Sequence, residues 1–314
     1  MRFLRKRGFI EISFAWLFAI IAGAVILALA IFAASKIINL GNSATGAETQ
    51  NQIAVLLNPL ETSFQAGTVT TLTIPSETRI YNGCNNQSGI FGAQTISISQ
   101  LALGKWSTPT NPSLFNNKYI FSDSISEGKQ FYLFSKPFEF PFKISDVIYM
   151  TSSNENYCFA NPPPGIQQEL SNLNEGNILI KTSAGACPSD SIRICFNGEN
   201  CDIQVNYAFG TVEKNGTTSV FYTDALMYGA IFADKSTYEC QVRRLISRES
   251  QLLSLYSDKA TTITQLGCTS TMNADLHTLK SLAESYGNSG DLNSMILQTN
   301  LVQQENNAAN CKLW

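Results

Sequence analysis

Residues 12–35 run for 24 positions without a charge, and Ser13 and Ser35 are their only polar side chains. At about 1.5 Å per helical residue, the run is long enough to cross a hydrocarbon core of about 30 Å. A helix that is apolar on every face has no side to turn to water, which excludes an amphipathic surface helix. Arg2, Arg5, Lys6 and Arg7 precede the run, and only Lys36 follows it closely. This charge asymmetry puts the N-terminus in the cytoplasm and the C-terminal bulk outside the cell membrane, with the lipid bilayer as partner of residues 12–35. A cleaved secretory signal is the rival reading. Such signals have an apolar core of about 7–15 residues, shorter than this one, although Ala33-Ala34-Ser35 fits a cleavage site.

Lys6-Arg7-Gly8-Phe9-Ile10-Glu11, followed at once by the apolar run, resembles the leader of type IV pilins and archaeal flagellin-like proteins. The resemblance covers about the first 35 residues. It implies a cut between Gly8 and Phe9 on the cytoplasmic side, after which the apolar helix joins a filament core. In that family the acidic residue stands fifth after the cut, whereas Glu11 stands third. An acid entering the membrane needs a partner. The resemblance implies a neighbouring subunit's N-terminus for that role, and the headgroup layer beside Arg7 is the alternative.

Beyond residue 50 the chain has 16 Lys and Arg against 22 Asp and Glu, and no basic cluster. That disfavours nucleic acid as a partner. Charged residues make up 14% of the chain, below the usual ~25%, so Asn, Ser, Thr and Gln are expected to cover the surface. All eight cysteines (Cys84, Cys158, Cys187, Cys195, Cys201, Cys240, Cys268 and Cys311) follow the apolar run. An even number in an oxidising compartment reads as a disulfide framework. Zinc is the competitor, but no CxxC occurs and His277 is the only histidine, so neither metal nor cofactor is expected.

The expected fold is α+β, with a single N-terminal transmembrane helix, an antiparallel β-sandwich-like ectodomain and a C-terminal three-helix region. Residues 1–11 form a basic cytoplasmic segment, 12–35 the transmembrane helix, 36–60 a helical stalk, 61–232 the β-rich ectodomain and 233–314 the helical subdomain. The stalk has an apolar stripe at Ile53, Ala54, Leu56, Leu57 and Leu60, interrupted upstream by Gly41, Asn42 and Gly46. Val69, Leu72 and Ile74, then Ile96 and Ile98, and then Ile203, Val205, Tyr207 and Phe209 follow period two. Asn215-Gly216 and Asn197-Gly198 read as hairpin turns, the second bringing Cys195 towards Cys201. Pro162-Pro163-Pro164-Gly165 introduces a short helix near 166–173.

From residue 235 the period is 3.6. Ser236 and Glu239 form a capping box, followed by stripes at Tyr238, Val242, Leu245, Leu252 and Tyr256, then at Met272, Leu276, Leu279, Ala283 and Tyr286, then at Leu292, Met295, Ile296 and Val302. Three helices running up, down and up place Cys268 near Cys311 and leave Cys240 for a cysteine of the β domain.

Catalytic signatures are weak. Ser126-Glu127-Gly128-Lys129 matches S-x-x-K, with Lys181-Thr182-Ser183 as a distant K-T-G, but Phe131-Tyr132-Leu133-Phe134 reads as strand where that set needs a helix. Asp123 and Glu127 read as acids of a solvated loop, and His277 as a helix-surface residue. Asn86-Gln87-Ser88 and Asn215-Gly216-Thr217 are glycosylation sequons. The function expected is therefore non-enzymatic: a single-pass cell-surface protein in structural or adhesive service, partnered by copies of itself or other surface proteins. The alternatives are a pilin-like filament subunit cut after Gly8 and a membrane-tethered enzyme with an unrecognised site.

Overall fold

The computed structural model describes residues 16–34, 36, 69–87, 91–196, 198, 201–216, 219–268 and 271–314. Gly8, Phe9 and Glu11 of the leader, and the stalk beyond residue 36, lie outside the described residues. The chain divides into two units, Met1–Thr45 and Gly46–Trp314. In the first, α1 (Trp16–Ala34) is a 19-residue helix with a mean hydropathy of 2.9 and no buried residue. Trp16, Phe18, Ile26 and Phe32 are all exposed.

The second unit is α+β and holds two mixed sheets. The first contains β1 (Val69–Asn85), β2 (Ala93–Ala102), β3 (Lys105–Trp106), β4 (Ser113–Phe115), β5 (Ile120–Phe121), β6 (Ile125–Glu139) and β7 (Lys143–Ser152). Their order is β3-β2-β1-β6-β7-β5, and β4 pairs with β2. Along β1, Leu72, Ile74, Thr78, Ile80 and Asn82 are buried in alternation. Its register with β6 breaks between Thr73 and Thr78, around Pro75, which has no N–H to donate. β6 and β7 are buried on both faces. Phe131, Leu133, Ile148 and Met150 enter a satellite cluster, whereas Phe134, Phe138, Val147 and Tyr149 enter the main core.

The second sheet runs β13-β12-β11-β10-β8-β9, from β8 (Asn156–Ala160), β9 (Ile178–Lys181), β10 (Ser191–Phe196), β11 (Ile203–Asn206), β12 (Thr211–Lys214) and β13 (Val220–Phe221). The antiparallel expectation fails here: β8 pairs parallel with both β9 and β10, and β10 parallel with β11. One cause is α2 (Pro164–Leu173), which starts at the proline cluster and buries Ile166, Leu170 and Leu173. It returns the chain across the sheet, so β8 and β9 point the same way, as in any βαβ crossover. The expected hairpin at Asn197-Gly198 is likewise replaced. The chain doubles back after Phe196 and sets Ile203 beside Ile194. Asp202 then accepts the Arg193 backbone N–H at 2.8 Å, just ahead of the first β10–β11 pair, Ile194 with Ile203. At Asn215-Gly216 the hairpin does form: β12 and β13 pair antiparallel, and both turn residues take positive φ, 51° and 65°.

Between the sheets and the C-terminal helices lies α3 (Leu226–Phe232), every residue of which is buried. It falls within the span expected to be β-rich. It contacts β5 and β7 of the first sheet and β12 of the second. Gly229 permits this approach, since a Cβ there would stand 2.6 Å from the Phe121 ring. Around α3, the rings of Phe134, Tyr149, Tyr157 and Phe232 pack at centroid distances of 4.7–6.5 Å.

The helices α4 (Lys235–Gln265), α5 (Asn273–Glu284) and α6 (Leu292–Ala308) complete the unit. Their stripes enter the main core. The capping box is not at Ser236 and Glu239. Asp234 caps α4, accepting from Thr237 N at 2.8 Å, because a carboxylate one turn earlier reaches that N–H directly. Glu239 instead accepts from Ser289 N at 2.8 Å and Ser289 Oγ at 2.7 Å, before α6.

On the sheet-facing side of α4, Arg244 is fully buried. It donates to the carbonyls of Phe91 (3.0 Å), Lys118 (2.8 Å) and Asn116 (3.1 Å), and to Gln241 Oε1 (2.7 Å). Gln241 continues the network to Gln94 and the Ile120 carbonyl, and Gln94 to Asn82. Removing a buried charge's partner, or the charge itself, leaves polar groups without hydrogen bonds. Arg244→Met is expected to destabilise the disulfide-intact protein by about 3–5 kcal/mol, because several buried acceptors lose their donor at roughly 1–3 kcal/mol each. Arg244→Lys should recover only part of this, because an ammonium lacks the planar fork. Urea unfolding midpoints check both.

Candidate functional site

The cavity richest in perturbed titratable groups lies where the β5–β6 loop, the end of β12 and the start of α4 meet. It measures about 500 Å³. Asp123, Asp202, Lys214, Asp234 and Lys235 line its polar side, with Ile192, Ile203, Val212 and Val220 beneath them. Helix capping positions Asp234. Its Oδ2 also accepts Ser124 N at 2.7 Å, fastening the β5–β6 loop to α4. Lys214 donates to the Ala233 carbonyl at 2.6 Å, fastening β12 to the same turn.

Burial pushes the Asp123 carboxyl up to about 6; the Lys214 charge opposes this, and Glu155 and Asp234 add to it. Burial lowers the Lys214 ammonium, against the pull of Asp123, Asp234 and Glu155. For Asp234 burial acts upward, but hydrogen bonds from Ser236, Thr237 and Ser124 outweigh it and hold the carboxyl below its ordinary value. A carboxyl titrating near 6 beside an amine of lowered affinity can exchange protons near neutral pH. The described lining residues include no Ser, Thr, Cys or His, however, and the Asp234 oxygens are engaged in capping. The arrangement acts as a polar seam joining three segments.

Asp123 is therefore not a solvated loop acid, and Glu127 sits within β6, paired with Arg79 at 2.7 Å. Ser126 to Lys129 all lie on β6, so the S-x-x-K serine is not at a helix start. His277 is exposed on α5, with Nε2 3.4 Å from Ser257 Oγ. Ser257 lies mid-helix in α4, where backbone N–H groups are already bonded and no oxyanion site can form. Among the described residues no group of three or more His, Cys, Asp or Glu is placed to hold a metal.

The eight cysteines form four bridges. Cys84 joins Cys240, Cys158 joins Cys187, Cys195 joins Cys201 and Cys268 joins Cys311, with Cα separations of 5.8–6.3 Å. Asn86 is half-buried beside Cys240 in a second cavity. Asn215 is exposed at the β12–β13 turn.

Two buried acids went unnoticed in the sequence. Glu175 is pushed up to about 8 and Glu249 well above its ordinary value, both by burial. For Glu249 a signal existed: it occupies the gap in the α4 stripe between Leu245 and Leu252. Each avoids the cost of a buried charge by staying protonated at neutral pH.

No known family model matches the chain, and no curated protein or solved structure is significantly similar to it.

Because Asp123 binds its proton more tightly in the folded state, its stabilising contribution is complete below pH 3.8 and is lost as pH rises through about 6. Asp123→Asn should remove that dependence and stabilise the protein by about 1–3 kcal/mol at pH 7 relative to pH 4. Thermal melts of both proteins from pH 4 to 7 measure it.

Proposed function

We propose that this chain is a bilayer-tethered cell-surface protein in non-enzymatic structural or adhesive service. The two mixed sheets serve as the layers of a sandwich-like head. The observation that carries this reading is α1: none of its apolar residues is buried within the chain. Large apolar side chains left in water are costly, at roughly 1.5–3 kcal/mol for each one, so α1 needs lipid or another protein around it. The four bridges of the second unit support an oxidising location for the head. The seam around Asp123, in which Asp234 and Lys214 are bonded to the backbone of neighbouring segments, favours a structural role over a catalytic one.

The second reading is a filament subunit in which copies of α1 cover one another. The leader resemblance at Gly8-Phe9 favours it.

The expected result for a tether is that the protein stays in membranes washed at alkaline pH, that protease added to intact cells removes the head, and that the N-terminal peptide starts at or next to Met1. A start at Phe9, with Glu11→Ala abolishing assembly, would establish the filament instead. Full release by the alkaline wash, or a head protected from external protease, would reject both.

A further inference from the structure

The turn at residues 207–210 joins β11 to β12 and leaves two aromatic rings in solvent: Phe209 is 75% exposed and Tyr207 50%. The turn is fixed. Phe209 N donates to Asn206 Oδ1 at 3.1 Å, and Tyr222 N to the Gly210 carbonyl at 2.8 Å. Gly210 takes φ 65°, where a Cβ would stand 2.9 Å from the Tyr222 carbonyl oxygen. The backbone thus presents both rings in one place.

Beside them lies a cavity of about 490 Å³, whose lining also includes Lys136, Glu169, Asp224 and Asn293. Lys136 Nζ lies 2.9 Å from both Glu169 oxygens, and the Tyr228 hydroxyl donates to Glu169 at 2.8 Å. The exposed Asp224 carboxylate and Asn293 amide make no side-chain hydrogen bond among the described residues.

We propose that this groove binds a neutral carbohydrate. A sugar ring presents C–H bonds on one face and hydroxyls around its edge. The C–H face suits an aromatic π face, which is electron-rich. The hydroxyls suit a carboxylate that accepts, an ammonium that donates and an amide that does both. A wholly apolar partner would desolvate Lys136, Glu169 and Asp224 without replacing their water. A strongly anionic ligand would meet two carboxylates against one cation. The volume is in the range of small-ligand sites, roughly 300–1,000 Å³. The inference deepens the adhesive reading and rests on the head facing outward.

The test uses the full-length chain in detergent against immobilised glucan, mannan, galactan and chitin oligosaccharides. The expected result is retention on at least one of them, weakened about tenfold or more by Phe209→Ala and by Asp224→Asn, which keeps a residue suited to the positive φ of 43° there, with thermal midpoints unchanged. Leu103→Ala, an exposed residue of the β2–β3 turn, should bind like the parent chain. No retention on any of the four sugars, or retention that survives both substitutions, overturns the proposal. The protease experiment on intact cells is independent of this one. A head found outside that binds none of the sugars rejects the carbohydrate site alone, whereas a head found inside rejects the reading beneath it.

Discussion

Arg244 is a positive charge with no access to water, and the placement of α4 on the first sheet follows from satisfying it. Besides Gln241 on its own helix, its acceptors are backbone carbonyls at Phe91, Asn116 and Lys118. Those positions lie between β1 and β2 and just before β5. They are more than 120 residues away in sequence, so the guanidinium is satisfied only when these loops and α4 are all in place. The Tyr119 ring packs on the guanidinium, 4.7 Å from its carbon. Gly92, at φ 64°, leaves room for the Arg244 Cγ, which a Cβ would meet at 2.9 Å. One helical turn earlier, Cys240 is bonded to Cys84 of β1. A buried network of this kind rigidifies what it joins only if every member is bonded.

The other buried charges are handled differently. Burial holds Glu175 and Glu249 in their neutral form, and Asp123 shares its cavity with Lys214. All three carboxyls bind protons more tightly folded than unfolded, so each favours the folded state more at low pH than at high pH. Asp202 and Asp234 act in the opposite sense. Their hydrogen bonds to Arg193 and to the start of α4 hold them ionised, and their contribution is lost in strong acid.

Elements with one buried face were legible in the sequence. Ile96 and Ile98 alternate with polar residues because one face of β2 is buried, and the α5 stripe repeats because that helix buries only one side. Leu226 to Phe232 is buried all round, and such a run carries no period to separate helix from strand. Strand direction was hidden for a related reason. Alternation in β11 gives the face of each residue but not the direction of its neighbour, and a loop as short as 197–202 ordinarily means a hairpin. The cavity around Asp123 was illegible because Asp123, Lys214 and Asp234 come from three distant segments that meet only after folding. Of the cysteine pairs, Cys268–Cys311 followed from the helix topology, which also left Cys240 for the β domain without naming Cys84; Cys158–Cys187 was not legible, because the two residues meet only across the second sheet.

Cys84–Cys240 closes a loop spanning 156 positions, and β1, which enters that loop, lies between β2 and β6 with antiparallel pairing on both sides. Tension arriving along the chain from the N-terminal side enters at Val69 and runs along β1. Its hydrogen bonds to two neighbours are then sheared together instead of peeling one by one. From Cys84 the load passes through the sulfur–sulfur bond into α4. The intervening strands, the whole second sheet and α3 lie outside the covalent part of that path. The second unit can then lengthen under load only at its flanks, and most of its fold keeps its shape while the bond stays oxidised.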